Sequence, residues 1–384
     1  MEILNPNIEA LVKLRKEIHK HPELSGKEFQ TAGRISSFLK KYPPDELITE
    51  VGTTGVIAIY KGKKEGETVL FRAELDALPI DEINTFEHKS VYKGISHKCG
   101  HDGHATILCG LAIELYHNRP ETGTVILLFQ PAEENGRGAP NIIADPKFKT
   151  IHPDYVFALH NLPRFQENQI VVKNNTFTCA VDSIIIQLNG KTAHAAEPEK
   201  GINPTLAIAS ISTEFDKMIQ SDLSKDDYCV VTPIYIKMGK KAYGVSAGAG
   251  EIHFTVRCNN NAQLRKIKAL LQNKAQTIAD TFLLDCTIKW TQSFHANQND
   301  ESAVNHIRKA AKNKKMDVLE KETPFTWGED FGLFTEQFPG AMFGIGSGLN
   351  TPALHNPDYD FPDSIIPTGI AVFHQISKEI TDAH

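Results

Sequence analysis

Apolar positions recur every three or four residues from Ile8 to Lys41, at Leu11, Leu14 and Ile18 and again at Ile35, Phe38 and Leu39, with a break at His21-Pro22. That spacing predicts two amphipathic helices. The pattern then shortens. GVIAIY (Gly55 to Tyr60), TVLFRA (Thr68 to Ala73), TVILLF (Thr124 to Phe129) and YVFAL (Tyr155 to Leu159) are β-branched or aromatic runs bounded by turn residues, which predicts strands. Between the second and third, ATILCGLAIELYH (Ala105 to His117) has helical period and length. Strands that are apolar nearly throughout, interleaved with helices, imply an α/β domain with a central, mostly parallel, mixed sheet and flanking helices.

Near Thr178 the character changes. VDSIIIQL (Val181 to Leu188) and GEIHFTVR (Gly250 to Arg257) alternate like half-buried strands, and helical spacing covers Thr205 to Ile219 and Ala262 to Phe282. This is the pattern of a smaller α+β unit. A helix (Ala303 to Lys312), the strand-like AMFGIG from Ala341 and a last helix (Thr368 to Ile380) restore the first style. An insert at 178–292 inside a discontinuous domain of 1–177 and 293–384 is therefore expected, and 384 residues suffice for two cores.

Composition narrows the function classes. A formal net charge of -6 and a pI near 6.2 leave no basic stripe for a phosphate backbone, so nucleic acid is not an expected partner. No apolar stretch is long enough to span a bilayer and the amino terminus lacks a signal-type apolar core, so no membrane association and a cytoplasmic location are expected. The six cysteines show no paired C-x-x-C spacing and read as thiols in a reducing compartment.

Candidate chemistry is densest in SHKCGHDGH, Ser96 to His104, where Cys99 and His101 can aim a soft and a borderline donor at one point. Asp102 has an ordinary reading as N-cap of the following helix. FQPAEENG places Glu133 and Glu134 just past a strand end, where one carboxylate can bind a cation while its neighbour takes a proton from water. Glu74 and Asp76 follow TVLFRA, His160 ends YVFAL, and His355 follows AMFGIG. In open α/β sheets such strand ends converge in one crevice, so a metal centre is expected. The GVSAG segment around Ser246 fits a nucleophile-elbow pattern but is followed by a strand-like run, the wrong context for a serine nucleophile.

Taken in order, LRKEIHKHPELSGKE, RAELDALPI, SHKCGHDGH, FQPAEE, FALHNLP, GKTAHAAEPEKGINP, FTWGEDF and LHNPDYDFPD resemble the motifs of the M20 metallopeptidase family, in its aminoacylase and hippurate hydrolase-like branch. The resemblance covers nearly the whole chain. It implies a dinuclear-metal exopeptidase-like catalytic domain with an inserted lid and dimerisation domain, two divalent cations per subunit (Mn²⁺ or Zn²⁺, with Ni²⁺ or Co²⁺ as options), and hydrolysis of N-acyl-amino acids by a homodimer. Cys99 would bridge the ions, with His101, Glu134, His160 and His355 completing their shells, Glu133 as general base, and Asp76 orienting a histidine ligand. His194 would polarise the scissile carbonyl from a partner subunit, and Arg257 and Asn203 would face the substrate. The chain departs from the branch at Glu74, commonly aspartate, and in KMGKKAYGVSAGAGEIHF, which lacks an asparagine-rich stretch. Deacetylation of N-acetyldiaminopimelate and cleavage of dipeptides or amino acid conjugates are alternatives within the resemblance. A catalytically silent metal-binding protein is one outside it, against which the intact ligand set and Glu133 argue.

Overall fold

The computed structural model describes residues 8–381. They form two compact units: the first comprises residues up to Phe177, Asn297–Glu322 and those from Glu329 onward, the second Thr178–Ala296 with Thr323–Gly328.

The first unit opens with α1 (Ile8–Lys20), α2 (Phe29–Leu39), β1 (Glu46–Val51), β2 (Gly55–Lys61), β3 (Lys64–Glu74), α3 (His101–His117), β4 (Thr122–Gln130), α4 (Gly138–Ala144), β5 (Tyr155–Leu162), β6 (Ile170–Val172) and β7 (Asn175–Thr178). The second contains β8 (Ala180–Asn189), β9 (Ala193–His194), α5 (Thr205–Asp216), β10 (Cys229–Met238), β11 (Val245–Ser246), β12 (Ala249–Cys258), α6 (Asn261–Thr281) and β13 (Asp285–Phe294). The chain then returns to the first through β14 (Asn297–Asn299), α7 (Glu301–Asn313), β15 (Val318–Glu320), α8 (Gly332–Thr335), β16 (Gly340–Gly346) and α9 (Ile366–Thr381).

The large sheet runs β1-β2-β4-β3-β5-β16-β6-β15. Its centre, β4-β3-β5-β16, is parallel, while β1 and β2 on one flank and β6 on the other are antiparallel to their inner neighbours. This is the expected mixed α/β fold. The apolar run of β3 is buried on both faces, and α3 is buried from His101 to Leu115. A helix covered on all sides keeps no polar stripe. The strands β1, β6 and β15 were not foreseen: β1 is mostly solvent-facing and carries charges, and the other two have three residues each, too few to show a period.

In the second unit an antiparallel sheet, β10-β12-β8-β13, packs one face against α5 and α6. Ile184, Ile186 and Leu188 of β8 and Ile252, Phe254, Val256 and Cys258 of β12 form that buried face, two residues apart as the pleat demands. A two-stranded pair, β9 with β11, brings Val245 opposite His194.

Candidate metal centre

Because β3, β4, β5 and β16 run parallel, their carboxyl ends lie along one side of the sheet, and the polar residues singled out above follow those ends. Three backbone devices aim them. Gly100, at the start of α3, has φ of 98°, and a Cβ there would lie 2.4 Å from Asn161 Oδ1. Only glycine accepts that turn and that approach, and it separates Cys99 from His101. After β4 the chain turns at Ala132, whose φ of 55° is unusual for a non-glycine residue, and there Glu28 Oε1 accepts the Ala132 N–H at 2.9 Å. The next two residues are Glu133 and Glu134. His355 is also left-handed, with φ of 65°, and its N–H is held by the Lys98 carbonyl at 2.7 Å.

Within the first unit the donor atoms of Cys99, His101 and His160 lie within 4.8 Å of one another, as do those of Cys99, Glu134 and His355. The two sets share the Cys99 sulfur. His101 Nδ1 faces the Asp76 carbonyl at 2.9 Å and Asp76 Oδ1 at 3.2 Å, two acceptors, so that nitrogen carries a proton and Nε2 is turned to the cluster. His160 Nδ1 likewise donates to the Asn161 carbonyl at 2.9 Å, leaving Nε2 3.5 Å from Cys99 Sγ. Burial pushes His160 down to about 3, which keeps its ring neutral. Asp76 Oδ2 is fixed by Ser25 Oγ at 2.7 Å and the Glu134 N–H at 3.0 Å.

These residues fit a cation pair on chemical grounds. His101 Nε2 and Glu134 Oε1 are buried with no hydrogen-bond partner, a costly state unless something else satisfies them. Glu74, Glu133, Glu329 and Asp330 surround the Arg72 guanidinium, and Asp76 and Glu134 add two more buried carboxylates beside His101. Burial and the neighbouring Glu329 and Glu134 push Glu133 well above the usual carboxylate range; burial, with Asp76 beside it, lifts Glu134 to about 7. Sulfur, imidazole and carboxylate together suit Zn²⁺ and its borderline neighbours.

Three features were missing from the sequence reading. Arg72 is fully buried and donates through Nε to Gln130 Oε1 at 2.9 Å, through Nη1 to Glu74, and through Nη2 to Glu329 Oε1 at 2.9 Å and Asp330 Oδ1 at 2.6 Å. The Asp330 N–H points to Glu133 Oε1 at 3.4 Å, so this frame reaches the neighbouring carboxylate. Burial alone would raise Glu74, but Arg72 and His104 outweigh it and hold it well below its ordinary range. His104 spends both ring nitrogens, on Glu74 Oε2 at 2.8 Å and Asn161 Oδ1 at 2.5 Å, which separates it from His101. Asp102 is not the N-cap expected: α3 begins at His101, and Asp102 lies in the first turn, 2.9 Å from His19 Nδ1.

The remaining candidates lie in the second unit. His194 on β9 is exposed, and its Nδ1 accepts the Ala196 N–H at 3.1 Å, so the proton sits on Nε2, a donor suited to a carbonyl oxygen. Arg257 on β12 donates from Nη1 to the Thr326 carbonyl at 2.7 Å. Asn203 is engaged locally: Oδ1 accepts the Thr205 N–H at 2.9 Å at the start of α5, and Nδ2 donates to Ser246 Oγ at 3.0 Å. Ser246 is followed by β12 rather than a helix, which removes the nucleophile-elbow reading.

Known proteins resemble this chain along nearly its whole length. An N-acetyl-L-cysteine deacetylase from Bacillus subtilis (strain 168) is 31% identical over 375 residues, 97% of this chain and 89% of the relative. An N-acetyldiaminopimelate deacetylase from Exiguobacterium sibiricum is 28% identical across 97% of this chain and 100% of its own length. A Bacillus subtilis structure described as a dinuclear metal binding peptidase superposes with a TM-score of 0.83 at 26% identity, covering 98% of this chain and 99% of that one. The model of peptidase family M20/M25/M40 matches residues 70–379, and the chain belongs to that family.

Proposed function

We propose that the chain hydrolyses the amide bond of N-acyl-L-amino acids, releasing a carboxylic acid and a free amino acid. The observation that carries this reading is the pair of donor sets sharing the Cys99 sulfur, with Glu133 next to Glu134 at the same strand end. The deacetylase names of the two relatives support an N-acetyl substrate, and N-acetyl-diaminopimelate-type amines fall within the same reading. Cys99, His101, Glu134, His160 and His355 would hold two divalent cations, Mn²⁺ or Zn²⁺ by preference and Ni²⁺ or Co²⁺ as substitutes. Bound there, the cations supply Lewis-acid stabilisation of the developing oxyanion and a more acidic water.

The chain's own groups do the rest. Glu133, lifted by burial and like charge, takes the proton from the attacking water and returns it to the departing nitrogen. Asp76 orients His101 through the contacts described above. His194 of the partner subunit would donate to the amide oxygen through Nε2, and Arg257 and Asn203 would face the substrate, with the Arg257 guanidinium pairing with its carboxylate. Among the described residues no helix is long and apolar enough to cross a membrane, and we assign a homodimer acting in the cytoplasm on a small-molecule substrate.

Glu133→Gln should keep its metal, read by elemental analysis, and lose about 10²- to 10⁴-fold in kcat on an N-acetyl-amino acid. Glu134→Ala should lose metal and activity together. Wild-type turnover in Glu133→Gln would remove the base assignment, and full metal content in Glu134→Ala would remove the ligand assignment.

A further inference from the structure

Two thiols away from the metal centre face each other across a strand pair. Cys229 opens β10 and is directly opposite Cys258, the last residue of β12, in an antiparallel ladder. The kind of pair follows from the backbone. Cys229 exchanges both of its main-chain hydrogen bonds with Gln220 on its other side, at 3.0 Å for its N–H and 2.9 Å for its carbonyl. In an antiparallel strand a residue's N–H and C=O point the same way, so neither is directed at Cys258. Cys229 and Cys258 therefore form a non-hydrogen-bonded pair, in which Cα atoms sit about 4.5 Å apart and side chains approach most closely. That spacing lies just inside the lower edge, about 4.4 Å, of what a disulfide spans.

We propose that Cys229 and Cys258 are an oxidisable dithiol that closes to a reversible cross-strand disulfide under a small peroxide oxidant. Both side chains are buried in the core beneath α5 and α6, so the oxidant has to be about the size of water and enters when the start of β10 and its Gln220 bridge open locally. Each thiol perturbs the other, holding Cys229 below and Cys258 above the ordinary cysteine range, which divides the pair placed together by the ladder into an attacking and a resolving thiol. The Cys229 thiolate attacks one oxygen of hydrogen peroxide, giving a sulfenic acid and, after protonation, one water. Cys258 then attacks that sulfur, forming the S–S bond, and its proton leaves with the displaced hydroxide as a second water. Two thiols and one peroxide thus become one disulfide and two waters. A bond at the short end of its range is readily reduced, so a dithiol should reverse it.

The other thiols serve as internal references: all six cysteines are free, and Cys286 is the partly exposed one. The intact chain is treated with graded hydrogen peroxide, quenched by alkylation in denaturant, and digested with trypsin without reductant. Cleavage after Lys225, Lys237, Arg257 and Arg265 places Cys229 in peptide 226–237 and Cys258 in peptide 258–265, each with one cysteine. The expected result is a linked 226–237/258–265 species, lighter than the two peptides by two hydrogens and abolished by dithiothreitol. In Cys229→Ala the link should vanish while untreated activity stays at the wild-type level. The proposal is overturned if both thiols remain alkylatable at peroxide levels that oxidise Cys286, or if Cys229 is recovered only as sulfinic acid or linked to another cysteine. The wild-type map decides this even where the alanine variant does not fold.

Discussion

At the scale of single residues, the centre depends on backbone conformations that side chains alone do not reveal. Gly100 is the sharpest case, since a methyl group there meets both a left-handed φ and the Asn161 amide. Gly100→Ala should lower stability by about 2–4 kcal/mol, through strain and overpacking, and because it displaces Cys99 and His101 together, metal content should fall with it. Thermal unfolding and elemental analysis of the variant test this; unchanged values in both would mean that the turn is not what positions the donors. The donors were legible in sequence because they come in short clusters at strand ends, Cys99 with His101 and Glu133 with Glu134. The sequence could not separate His101 from His104, since both are histidines in one turn, and the difference lies in Glu74 and Asn161 occupying the nitrogens of His104. Arg72 escaped notice for a related reason. It sits in the mostly apolar run TVLFRA at the buried end of β3, and its partners Glu329 and Asp330 are 257 and 258 residues away.

At the scale of elements, α1 is tied to α3 by buried charge as well as by apolar packing. Arg15 and His19 of α1 reach Asp102 in the first turn of α3, and His19 Nε2 also meets Glu82 Oε1 at 3.0 Å. Burial by itself would lower His19, but the bonds to Asp102 and Glu82 prevail and raise it to about 9. An imidazole held above its unfolded value of about 6.5 binds a proton more tightly when folded. Its stabilisation is therefore complete below about pH 6.5 and is lost as the pH climbs through about 9. Wild type minus His19→Gln in unfolding free energy should shrink across that window, by an amount on the order of 2–3 kcal/mol. Chemical denaturation at intervals from pH 6 to 10 provides the difference curve, in which lysine and tyrosine titration common to both proteins cancels. A flat or rising difference would show that His19 is neutral in the folded state. The helices of this layer were visible from their period, whereas the charge link between them was not, because Asp102 reads locally as a cap.

At the scale of the molecule, the second unit leaves one edge unfinished. β10 gives only Cys229 and Val231 to the buried face of its sheet, and from Thr232 to Met238 it is exposed, with Ile234 at 60% and Ile236 at 55%. An edge strand that presents apolar side chains and unpaired backbone groups is a pairing surface unless something covers it. Pro233 lacks an N–H, and the register slips between Pro233 and Tyr235, so pairing by a second copy would be confined to the stretch beyond the bulge. Ile234 lies at the slip and Ile236 just beyond it, opposite Ile252; both are exposed, and each would contribute about 1.5–3 kcal/mol on burial. The double substitution Ile234→Lys with Ile236→Lys therefore opposes association by several kcal/mol, a weakening of more than about 10²-fold. Sedimentation at micromolar concentration should give twice the chain mass of 42.6 kDa for wild type and the single mass for the double variant. A wild type that sediments as a monomer removes the homodimer, and a variant that stays dimeric moves the interface away from β10. The sequence concealed this edge for a physical reason: CVVTPIYIKM has a strand's composition, but the proline interrupts its alternation, so nothing in the pattern tells a covered strand from an open one.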